Sequence, residues 1–337
     1  MKKTLLALVL ALPIAVCLAI AAWPQGFGLE QTPIIAQVVA PRVGVICIAL
    51  VLLVLFALLA RWEAPRRFAL TVVTMLLLFA LVSGSLHFSR GAGSTGLERA
   101  EGDVTVVTWN TLGDEPGVDA LVELIQETDA DIVALPETRG AFAAEAAVRM
   151  RELGKPFWAH TTHFSEQYGA LSTSLLISAD LGSYTTDLEI GQTRTLPTIV
   201  ARPDDGTGPV IVATHPVAPI PQQMRNWRQD LEFVAGLCNG IDSVIMAGDF
   251  NSTLDHWASL GVDGGDLGRC VDAAGAAGAG TAGTWPTELP SWLGAQIDHV
   301  VATPDWQVVD AHVLTDRDSF GTDHRPVVAV LRFTPNE

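Results

Sequence analysis

Three apolar segments of about twenty residues each constrain this chain more than any other feature of its sequence. They cover residues 4–22, 43–60 and 68–88, and none contains an Asp, Glu, Lys or Arg. Each has the length that an α-helix needs to cross the hydrocarbon core of a bilayer. Buried helices of a soluble fold are the alternative, but the sequence around these segments is too short to cover them. We therefore expect three transmembrane helices within residues 1–88.

Positively charged residues indicate the direction of these helices. They are Lys2 and Lys3 before the first segment, and Arg61, Arg66 and Arg67 between the second and the third. By the positive-inside rule both places are cytoplasmic, so the third helix leaves the membrane on the outer side. The rest of the chain is therefore expected on the extracytoplasmic side of the cell membrane.

The first apolar segment has a second interpretation. Residues 19–21, Ala-Ile-Ala, resemble a signal-peptidase site, so this segment could be a cleaved signal peptide. Cleavage would leave the directions of the second and third helices unchanged. The extracytoplasmic placement of the rest of the chain holds under both interpretations.

A short polar segment separates the apolar part from the remainder. Residues 89–102, SRGAGSTGLERAEG, are rich in glycine and small polar residues, which is typical of a flexible linker. Such a coil spans on the order of 20 Å. It would keep the following domain, residues 103–337, near the outer leaflet and its lipid head groups.

The charge of the chain beyond the third apolar segment limits its partners. After residue 88 there are 14 basic and 35 acidic residues, a formal charge of −21. Proteins bind long nucleic acids through clustered Lys and Arg, which this composition does not favour. A small or membrane-held phosphorylated substrate is the better match.

From residue 103 onward, short apolar runs alternate with amphipathic segments. Strands are predicted at 103–109, 131–136, 172–177, 197–202, 209–214, 243–248, 297–302, 308–314 and 326–333. Helices are predicted at 117–128, 141–152 and 222–237. Many strands with few helices indicate two packed sheets with helices outside. Residues 273–283, AAGAAGAGTAG, are of low complexity and are expected to form a mobile surface loop.

The four cysteines leave one question open. Cys17 and Cys47 lie in apolar segments, whereas Cys238 and Cys270 lie in the outer domain. An extracytoplasmic compartment would permit a disulfide between Cys238 and Cys270. Two free buried thiols are the alternative.

Polar residues follow several predicted strands where each strand leaves the core. They are Asn110, Glu137, His215, Asp249 and Asn251, with Asp298 within a later strand and Asp323 and His324 just before the last one. Taken singly, an Asn or Asp at a strand end is most often a turn residue. In MAGDFNST, however, Asp249 and Asn251 point to the same side of the chain, because side chains alternate along a strand. The repetition at successive strands indicates one shared site.

These positions also carry a resemblance. The motifs WN, PE, TH, GDFN, IDH and TDH, in this order, resemble the endonuclease/exonuclease/phosphatase superfamily of metal-dependent phosphoesterases over about residues 103–333. The resemblance implies a four-layer α/β sandwich, with two packed, mostly antiparallel sheets flanked by helices. Three outward-directed helices before such a domain also resemble the membrane-anchored bacterial branch that includes VanJ-like proteins. Arg139 is implied as a phosphate-side contact.

The residue types favour a Mg²⁺ site, with Mn²⁺ as the alternative ion. Mg²⁺ prefers oxygen ligands and keeps several waters, so one or two carboxylates suffice. The expected ligand is Glu137, and Asn110 would ligate the ion or orient one of its waters. Asp323 and Asp249 are the further candidates.

The remaining polar residues suit the chemistry of a phosphoryl group. Asp249 would orient or deprotonate the attacking water, and Asn251 would donate to a phosphoryl oxygen. His324, with its tautomer fixed by Asp298, would stabilise charge in the transition state. His215 would contact the phosphate or protonate the leaving oxygen.

Two departures weaken the comparison with nuclease members of the superfamily. In those members the histidine matching His215 is backed by a carboxylate, and the corresponding stretch here offers only Glu166. The basic and aromatic loops that enter a DNA groove are also missing. Instead, we expect an apolar rim beside the site that could face lipid. It would consist of residues 283–292, GTWPTELPSW, of Trp257 and of the proline-rich stretch after His215.

The sequence thus predicts a membrane-anchored, outward-facing phosphoesterase whose substrate is a lipid-linked phosphate or pyrophosphate, or a phospholipid head group. An extracellular nuclease is the second hypothesis. A non-catalytic, membrane-tethered binding module is the third, and it is disfavoured because every motif position is intact. No G-x-S-x-G elbow occurs, which excludes the common serine hydrolase pattern.

Overall fold

The structure of the chain is a computed structural model that describes residues 2–91, 93, 95–165 and 167–335, with side chains from residue 9 onward. The chain divides into two compact units, with the boundary between Arg90 and Gly91.

The first unit is helical. Its α-helices are α1 (Lys2–Ala22), α2 (Ile35–Val39), α3 (Arg42–Leu59) and α4 (Arg66–Phe88). Among the described side chains, α3 and α4 are long and apolar enough to cross a membrane, whereas the apolar part of α1, Val9–Ala22, is shorter. Within the part of the chain whose side chains are described, there are thus two candidate spanning helices, not the three predicted.

The second unit is built mainly of strands. Within the described residues these are β1 (Val104–Thr108), β2 (Ile132–Pro136), β3 (Phe157–His163), β4 (Ser172–Ser178), β5 (Tyr184–Thr186), β6 (Ile199–Pro203), β7 (Val210–Thr214), β8 (Val244–Asp249), β9 (Val271–Asp272), β10 (Asp298–Ala302), β11 (Trp306–Val313) and β12 (Val327–Phe333). The helices are α5 (Gly117–Thr128), α6 (Gly140–Glu152), α7 (Met224–Gly240), α8 (Leu254–Trp257) and α9 (Ala273–Ala276). The predicted strands and helices are all present, whereas β3, β5 and β9 had no clear signal.

The strands form two six-stranded sheets of similar plan. The first sheet has the order β11-β12-β1-β2-β4-β3, and the second has the order β5-β6-β7-β8-β10-β9. Each sheet has one parallel pair at its centre, β1 with β2 and β7 with β8, and antiparallel neighbours on both sides. Helix α5 connects the first parallel pair, and α7 connects the second.

Two apolar layers hold this unit together. Val106 and Ile132 of the first sheet pack with Ile211 and Ile245 of the second. The opposite face of the first sheet packs against α5 and α6, for example through Leu121. Because side chains alternate along each strand, both faces of the central strands are buried. The predicted four-layer α/β sandwich is confirmed.

Cys238 and Cys270 form a disulfide. The bond joins the last turns of α7 to the segment just before β9. Of the two alternatives that the sequence left open, the structure therefore has the bonded one.

One sequence expectation about a loop is corrected. Residues 273–283 are not a mobile surface loop throughout, because they begin with α9, and Ala273, Ala274 and Ala277 are buried in the core between the sheets. Small side chains let this turn approach the sheets closely, so low complexity here reflects tight packing. Two hydrogen bonds join the predicted linker segment to the second unit: Gly93 N donates to Gly278 O at 2.7 Å, and Arg332 Nη2 donates to Glu98 O at 2.9 Å.

Candidate active site

Asn110 connects the two sheets at the end of the sandwich where the central parallel strands terminate. It lies two residues beyond β1 and is fully buried. Its side-chain Nδ2 donates to Glu137 Oε1 and to Asp249 Oδ2, at 3.1 Å in each case. Glu137 follows β2 of the first sheet, and Asp249 ends β8 of the second. One neutral amide thus holds two carboxylates from different sheets.

Glu137 has an unusual backbone conformation. Its φ is +55°, in the left-handed region that residues other than glycine seldom adopt. Its carbonyl accepts hydrogen bonds from Thr111 Oγ1 at 3.0 Å and from Gly113 N at 2.9 Å, which hold this turn in place. Strained backbone of this kind costs on the order of 1 kcal/mol or more and is concentrated at functional sites. The side chain is 18% exposed, so solvent or a ligand can reach it.

Asp249 is surrounded by donors. Its Oδ1 accepts from Asn251 N at 2.8 Å, and its Oδ2 accepts from Asn251 Nδ2 at 3.2 Å. His215 Nε2 lies 3.5 Å from the same oxygen. Burial by itself would raise the pKa of Asp249, but His324 and His215 outweigh burial and hold that pKa below its usual value. The carboxylate is therefore ionised at neutral pH.

Asn251 fixes Asp249 in this orientation. Its backbone is also left-handed, with φ +47°, and its Nδ2 donates to Pro216 O at 3.0 Å as well as to Asp249. Both hydrogens of the amide are thus engaged. The predicted bond from Asn251 to a phosphoryl oxygen would replace one of these two.

His324 and Asp298 form a buried pair. His324 Nδ1 lies 2.8 Å from Asp298 Oδ2, and its Nε2 lies 3.8 Å from Asp249 Oδ2. Burial alone lowers the pKa of His324, but the carboxylates of Asp298 and Asp249 raise it to about 10. Burial also raises the pKa of Asp298, although His324 partly offsets that effect. We place the proton on His324, because an imidazolium satisfies both carboxylates at once.

His215 is held less firmly than His324. Its Nε2 lies 3.8 Å from Glu137 Oε1 and 3.5 Å from Asp249 Oδ2, which is beyond normal hydrogen-bond length. Its buried Nδ1 has no partner in the part of the chain that the structure describes. Glu166, the backing carboxylate considered from the sequence, lies outside the described residues.

The other two predicted site residues lie at the edge of this cluster. Asp323 Oδ2 accepts from Trp285 Nε1 at 2.9 Å, and its Oδ1 lies 3.8 Å from His324 Nε2. Arg139 is half-exposed, and its Nη1 pairs with Asp114 Oδ2 at 3.3 Å. The structure therefore brings Asp323 to the side of His324, whereas Arg139 pairs away from the central carboxylates.

The charges of the cluster suit a divalent cation. Four carboxylates, those of Glu137, Asp249, Asp298 and Asp323, are balanced by one imidazolium. Asp249, Asp298 and His324 have potential ligand atoms within 4.8 Å of one another. A protonated imidazole has no free lone pair, so the oxygens of Glu137 and Asp249 beside Asn110 are the better place for a hard ion.

Two residues inside the recognised motifs have supporting contacts that the sequence did not indicate. Trp109 Nε1 donates to the carbonyl of His324 at 3.0 Å. Thr322 Oγ1 donates to the carbonyl of Asn110 at 2.7 Å. Both are fully or almost fully buried, so they fix the backbone of the residues they touch.

Two more supporting residues lie far from the motifs in sequence. Trp227 Nε1 donates to the carbonyl of Asn251 at 3.1 Å. Thr284 Oγ1 accepts from Asp298 N at 3.1 Å. In the sequence, each is only a side chain with one polar group among apolar or small neighbours. That pattern is too common to identify them as supporting residues.

The expected apolar rim is partly wrong. Trp257 is fully buried, and its indole N–H donates to Ser252 Oγ at 2.7 Å. A buried tryptophan needs such a partner, and the turn after β8 supplies it. Trp285, Leu289 and Trp292 in the loop between Gly283 and β10 are exposed, and so is Ile220 in the proline-rich stretch after His215.

Comparisons with known proteins agree on the fold. The family model described as Endonuclease/Exonuclease/phosphatase family matches residues 107–324. The crystal structure of D. rerio TDP2 complexed with single strand DNA product aligns with a TM-score of 0.53 at 16% identity, covering 69% of this chain and 100% of that one. The endonuclease/exonuclease/phosphatase from Bacteroides vulgatus aligns with a TM-score of 0.50 at 17% identity, with the same 69% and 100% coverage. No curated protein matches the sequence.

Proposed function

Since the chain belongs to the endonuclease/exonuclease/phosphatase family and is therefore a phosphoric ester hydrolase, we propose that it is a membrane-anchored, Mg²⁺-dependent phosphoesterase that faces the outside of the cell. Its substrate is a phosphate ester or pyrophosphate carried by a lipid or a phospholipid head group. One observation carries this proposal: Asn110 holds the carboxylates of Glu137 and Asp249 together. They lie beside the buried pair of His324 and Asp298.

The residues fit a divalent metal ion. Glu137 would hold it, with Asp249 and Asp323 as further ligands, and Mn²⁺ would suit the same oxygens. Asn110, whose Nδ2 donates to Glu137 and Asp249, would orient these carboxylates around the ion and its waters. When bound, such an ion neutralises phosphoryl charge and lowers the pKa of a bound water. The uncompensated negative charge of the four carboxylates supports this assignment.

Asp249 orients the attacking water in this proposal. A carboxylate whose pKa is held below its usual value is a weak proton acceptor. The donors around Asp249 fix its direction, so its contribution is positional and electrostatic. Asn251 keeps it in place and exchanges one of its hydrogen bonds for a phosphoryl oxygen.

The two histidines take different parts. His324, held as an imidazolium by Asp298, donates from Nε2 to the phosphoryl oxygens and stabilises the charge that grows on them. His215 has an unpartnered Nδ1 within the described structure and a loosely held Nε2, so it is free to adjust to the leaving oxygen. Arg139 contributes a more distant phosphate contact.

The first unit supports attachment to a membrane. Only 11% of α3 and 28% of the most apolar window of α4 are buried. A core helix of a soluble protein is mostly buried, and neither helix lies at the N-terminus as a signal sequence does. Arg61 between the two helices, and Arg66 and Arg67 at the start of α4, favour a cytoplasmic position for this connection, so α4 leads outward. The Cys238–Cys270 disulfide is consistent with an oxidising compartment.

The loop after Gly283 supports a substrate at a bilayer. Trp285 donates to Asp323 and is 41% exposed, and Trp292 is 57% exposed. Tryptophan is enriched where protein meets the interface of a membrane. A cavity of about 310 Å³ beside Asp323 is lined by Thr287, Glu288 and other polar side chains without a basic residue, which suits a hydroxylated head group.

A nuclease is the second candidate. It is favoured by the fold shared with D. rerio TDP2, whose crystal structure is that of a complex with a single strand DNA product. The formal charge of −21 after residue 88 works against it. A non-catalytic binding module is a third and weaker candidate, because the motif residues converge with their charges intact.

The test uses the full-length chain in detergent or reconstituted vesicles. Phosphate or head-group release is measured on a panel of phospholipids and lipid pyrophosphates, and cleavage on DNA and RNA, each with Mg²⁺ and with EDTA. We expect turnover of a lipid substrate that EDTA abolishes. Rapid DNA cleavage without lipid turnover would reverse the order of the candidates, and no turnover of any substrate would favour the binding module.

A further inference from the structure

Arg325 directly follows His324 and is fully buried. An arginine beside a phosphate-binding histidine would ordinarily be assigned to the phosphate. Its guanidinium, however, is already surrounded by six acceptor atoms of the protein for its five N–H groups, so one N–H of Nη2 is shared. The acceptors are the carbonyl oxygens of Gly283 (3.3 Å), Pro286 (3.2 Å), Thr287 (3.1 Å) and Leu289 (2.7 Å), and both carboxylate oxygens of Asp318 (2.7 and 2.6 Å).

These contacts exclude a direct role with substrate. A guanidinium has five N–H donors, and Nε, Nη1 and Nη2 of Arg325 all point at protein acceptors. The backbone N of Arg325 also donates to Thr284 O at 2.8 Å. The side chain of Arg325 therefore binds the loop from Gly283 to Leu289 and not a substrate.

The loop in turn touches both partners of His324. Thr284 Oγ1 accepts from Asp298 N at 3.1 Å, at the start of β10. Trp285 Nε1 donates to Asp323 Oδ2 at 2.9 Å, and Thr287 N donates to Asp323 O at 3.0 Å. Asp298 and Asp323 thus reach His324 from two directions, and one loop holds both.

We propose that Arg325 is a positioning residue for the hydrolytic site: with Asp318 it fixes the 283–289 loop, and through that loop it fixes Asp298 and Asp323 around His324. We name Arg325, Asp318 and the loop carbonyls the Arg325 clamp. This inference rests on the proposed function for its kinetic readout, but its structural readout is independent of activity.

Lysine cannot replace this arginine. Its ammonium is a compact charge with three donors, whereas the planar guanidinium reaches four carbonyls and one carboxylate together. Arg325→Lys therefore leaves buried carbonyls unpaired while keeping the positive charge. Loss of the partners that orient a site residue commonly lowers activity by about 10–100-fold.

The experiment compares full-length variants in detergent. For Arg325→Lys we expect kcat on a small soluble phosphoester to fall by about 10–100-fold, with KM changed by less than about threefold. Hydrogen exchange followed by mass spectrometry should show lost protection across residues 283–289. Asp318→Asn, which keeps an acceptor at the same place, should change both readouts in the same direction and by less.

Arg332→Lys is the matched control. Arg332 also pairs with both oxygens of an aspartate, Asp103, at 2.7 Å each, and with a backbone carbonyl, but it lies near the other end of β12. Arg332→Lys should change thermal stability without lowering kcat and without increasing hydrogen exchange across residues 283–289.

Three outcomes would overturn the proposal. One is a folded Arg325→Lys variant with unchanged kcat and unchanged exchange. Another is a rise in KM with kcat preserved, which would make Arg325 a substrate contact. The third is an Arg332→Lys variant with the same loss of kcat. If the wild type hydrolyses no phosphoester, the proposed function fails, and loop exchange alone then decides whether the clamp exists.

Discussion

The two sheets of the outer unit share one plan but supply different chemistry to the site. The central strands of the first sheet lead to Asn110 and Glu137, and those of the second lead to His215 and Asp249. The Glu137 side chain is 18% exposed, whereas the Asp249 side chain is 2% exposed. The same strand arrangement thus ends in an accessible carboxylate on one side and a buried one on the other.

This difference indicates how the site handles charge. Burying a carboxylate is costly unless donors or positive groups surround it. Asn251 and His215, which follow strands of the second sheet, meet that requirement for Asp249 together with His324, which precedes β12 of the first sheet. Among the described residues, Glu137 has the neutral amide of Asn110 at its Oε1 and His215 at 3.8 Å. We infer that Glu137 of the first sheet recruits the cation, and that Asp249 of the second sheet, with the groups around it, provides the fixed electrostatic field.

The largest effect is expected from Asp249→Asn. The substitution keeps the size of the side chain and removes the charge that both histidines face. We expect kcat to fall by at least about 100-fold, the usual scale for one catalytic electrostatic group. Raising the Mg²⁺ concentration should not restore it. Asp310→Asn, at an exposed carboxylate on β11, is the control. Unchanged turnover would remove Asp249 from the mechanism.

Glu137→Gln should behave differently. Because this carboxylate is proposed to recruit the ion, the Mg²⁺ concentration for half-maximal activity should rise by about tenfold or more. Activity should recover in part at saturating Mg²⁺, as measured by metal titration of the initial rate. If Glu137→Gln and Asp249→Asn respond alike to added Mg²⁺, the division of labour between the sheets is wrong.

The second sheet contains another buried histidine–carboxylate pair. It allows a stability test of the idea that a buried carboxylate is balanced by a protonated histidine. His299 Nδ1 lies 2.7 Å from Asp272 Oδ2, and its Nε2 lies 3.0 Å from Ser252 O. Burial lowers the pKa of His299, but Asp272 outweighs burial, so the net pKa is raised. A raised folded-state pKa contributes stability below the unfolded value of about 6.5, and that contribution is lost as the pH rises through the folded pKa.

The difference in Tm between the wild type and His299→Gln should therefore be largest near pH 5.5 and shrink as the pH is raised above about 6.5. Thermal unfolding followed by tryptophan fluorescence measures it. A difference that grows with pH would mean that His299 is neutral in the folded protein.

The smallest effect is expected from Trp227→Phe. The change keeps the aromatic ring and removes the hydrogen bond to the carbonyl of Asn251. A single buried hydrogen bond contributes about 1 kcal/mol, so we expect a fall of a few degrees in Tm and a loss of kcat of only about fivefold. A loss as large as that of Asp249→Asn would show that the turn at Asn251 depends on Trp227 far more than one bond explains.

Much of the outer unit is predictable from local sequence. The strands with strong apolar runs, such as β1 and β8, and the amphipathic helix α5 lie within a residue or so of their predicted bounds. The short strands β5 and β9 were missed because three or two residues carry no periodicity that can be recognised. The helix α9 was missed because its composition resembles that of a loop.

The contacts that organise the site were less accessible from sequence. Trp257 was expected in an apolar rim, but it is buried, and its indole N–H, like that of the buried Trp227, has a hydrogen-bond partner inside the protein. Arg325 could be seen beside His324, but its carbonyl acceptors lie about forty residues away in the chain. Such pairings depend on the path of loops that local patterns do not specify.

By itself the sequence determined the apolar character of the first unit, the sandwich of the second, and which residues stand at the ends of the central strands. These follow from periodicity and strand order, which act over a few residues. The tertiary structure decided that Asp249 is buried among donors while Glu137 stays accessible, and that one arginine holds the loop around His324. Burial and pairing of charge depend on segments far apart in the chain, so they are fixed only when the two sheets meet.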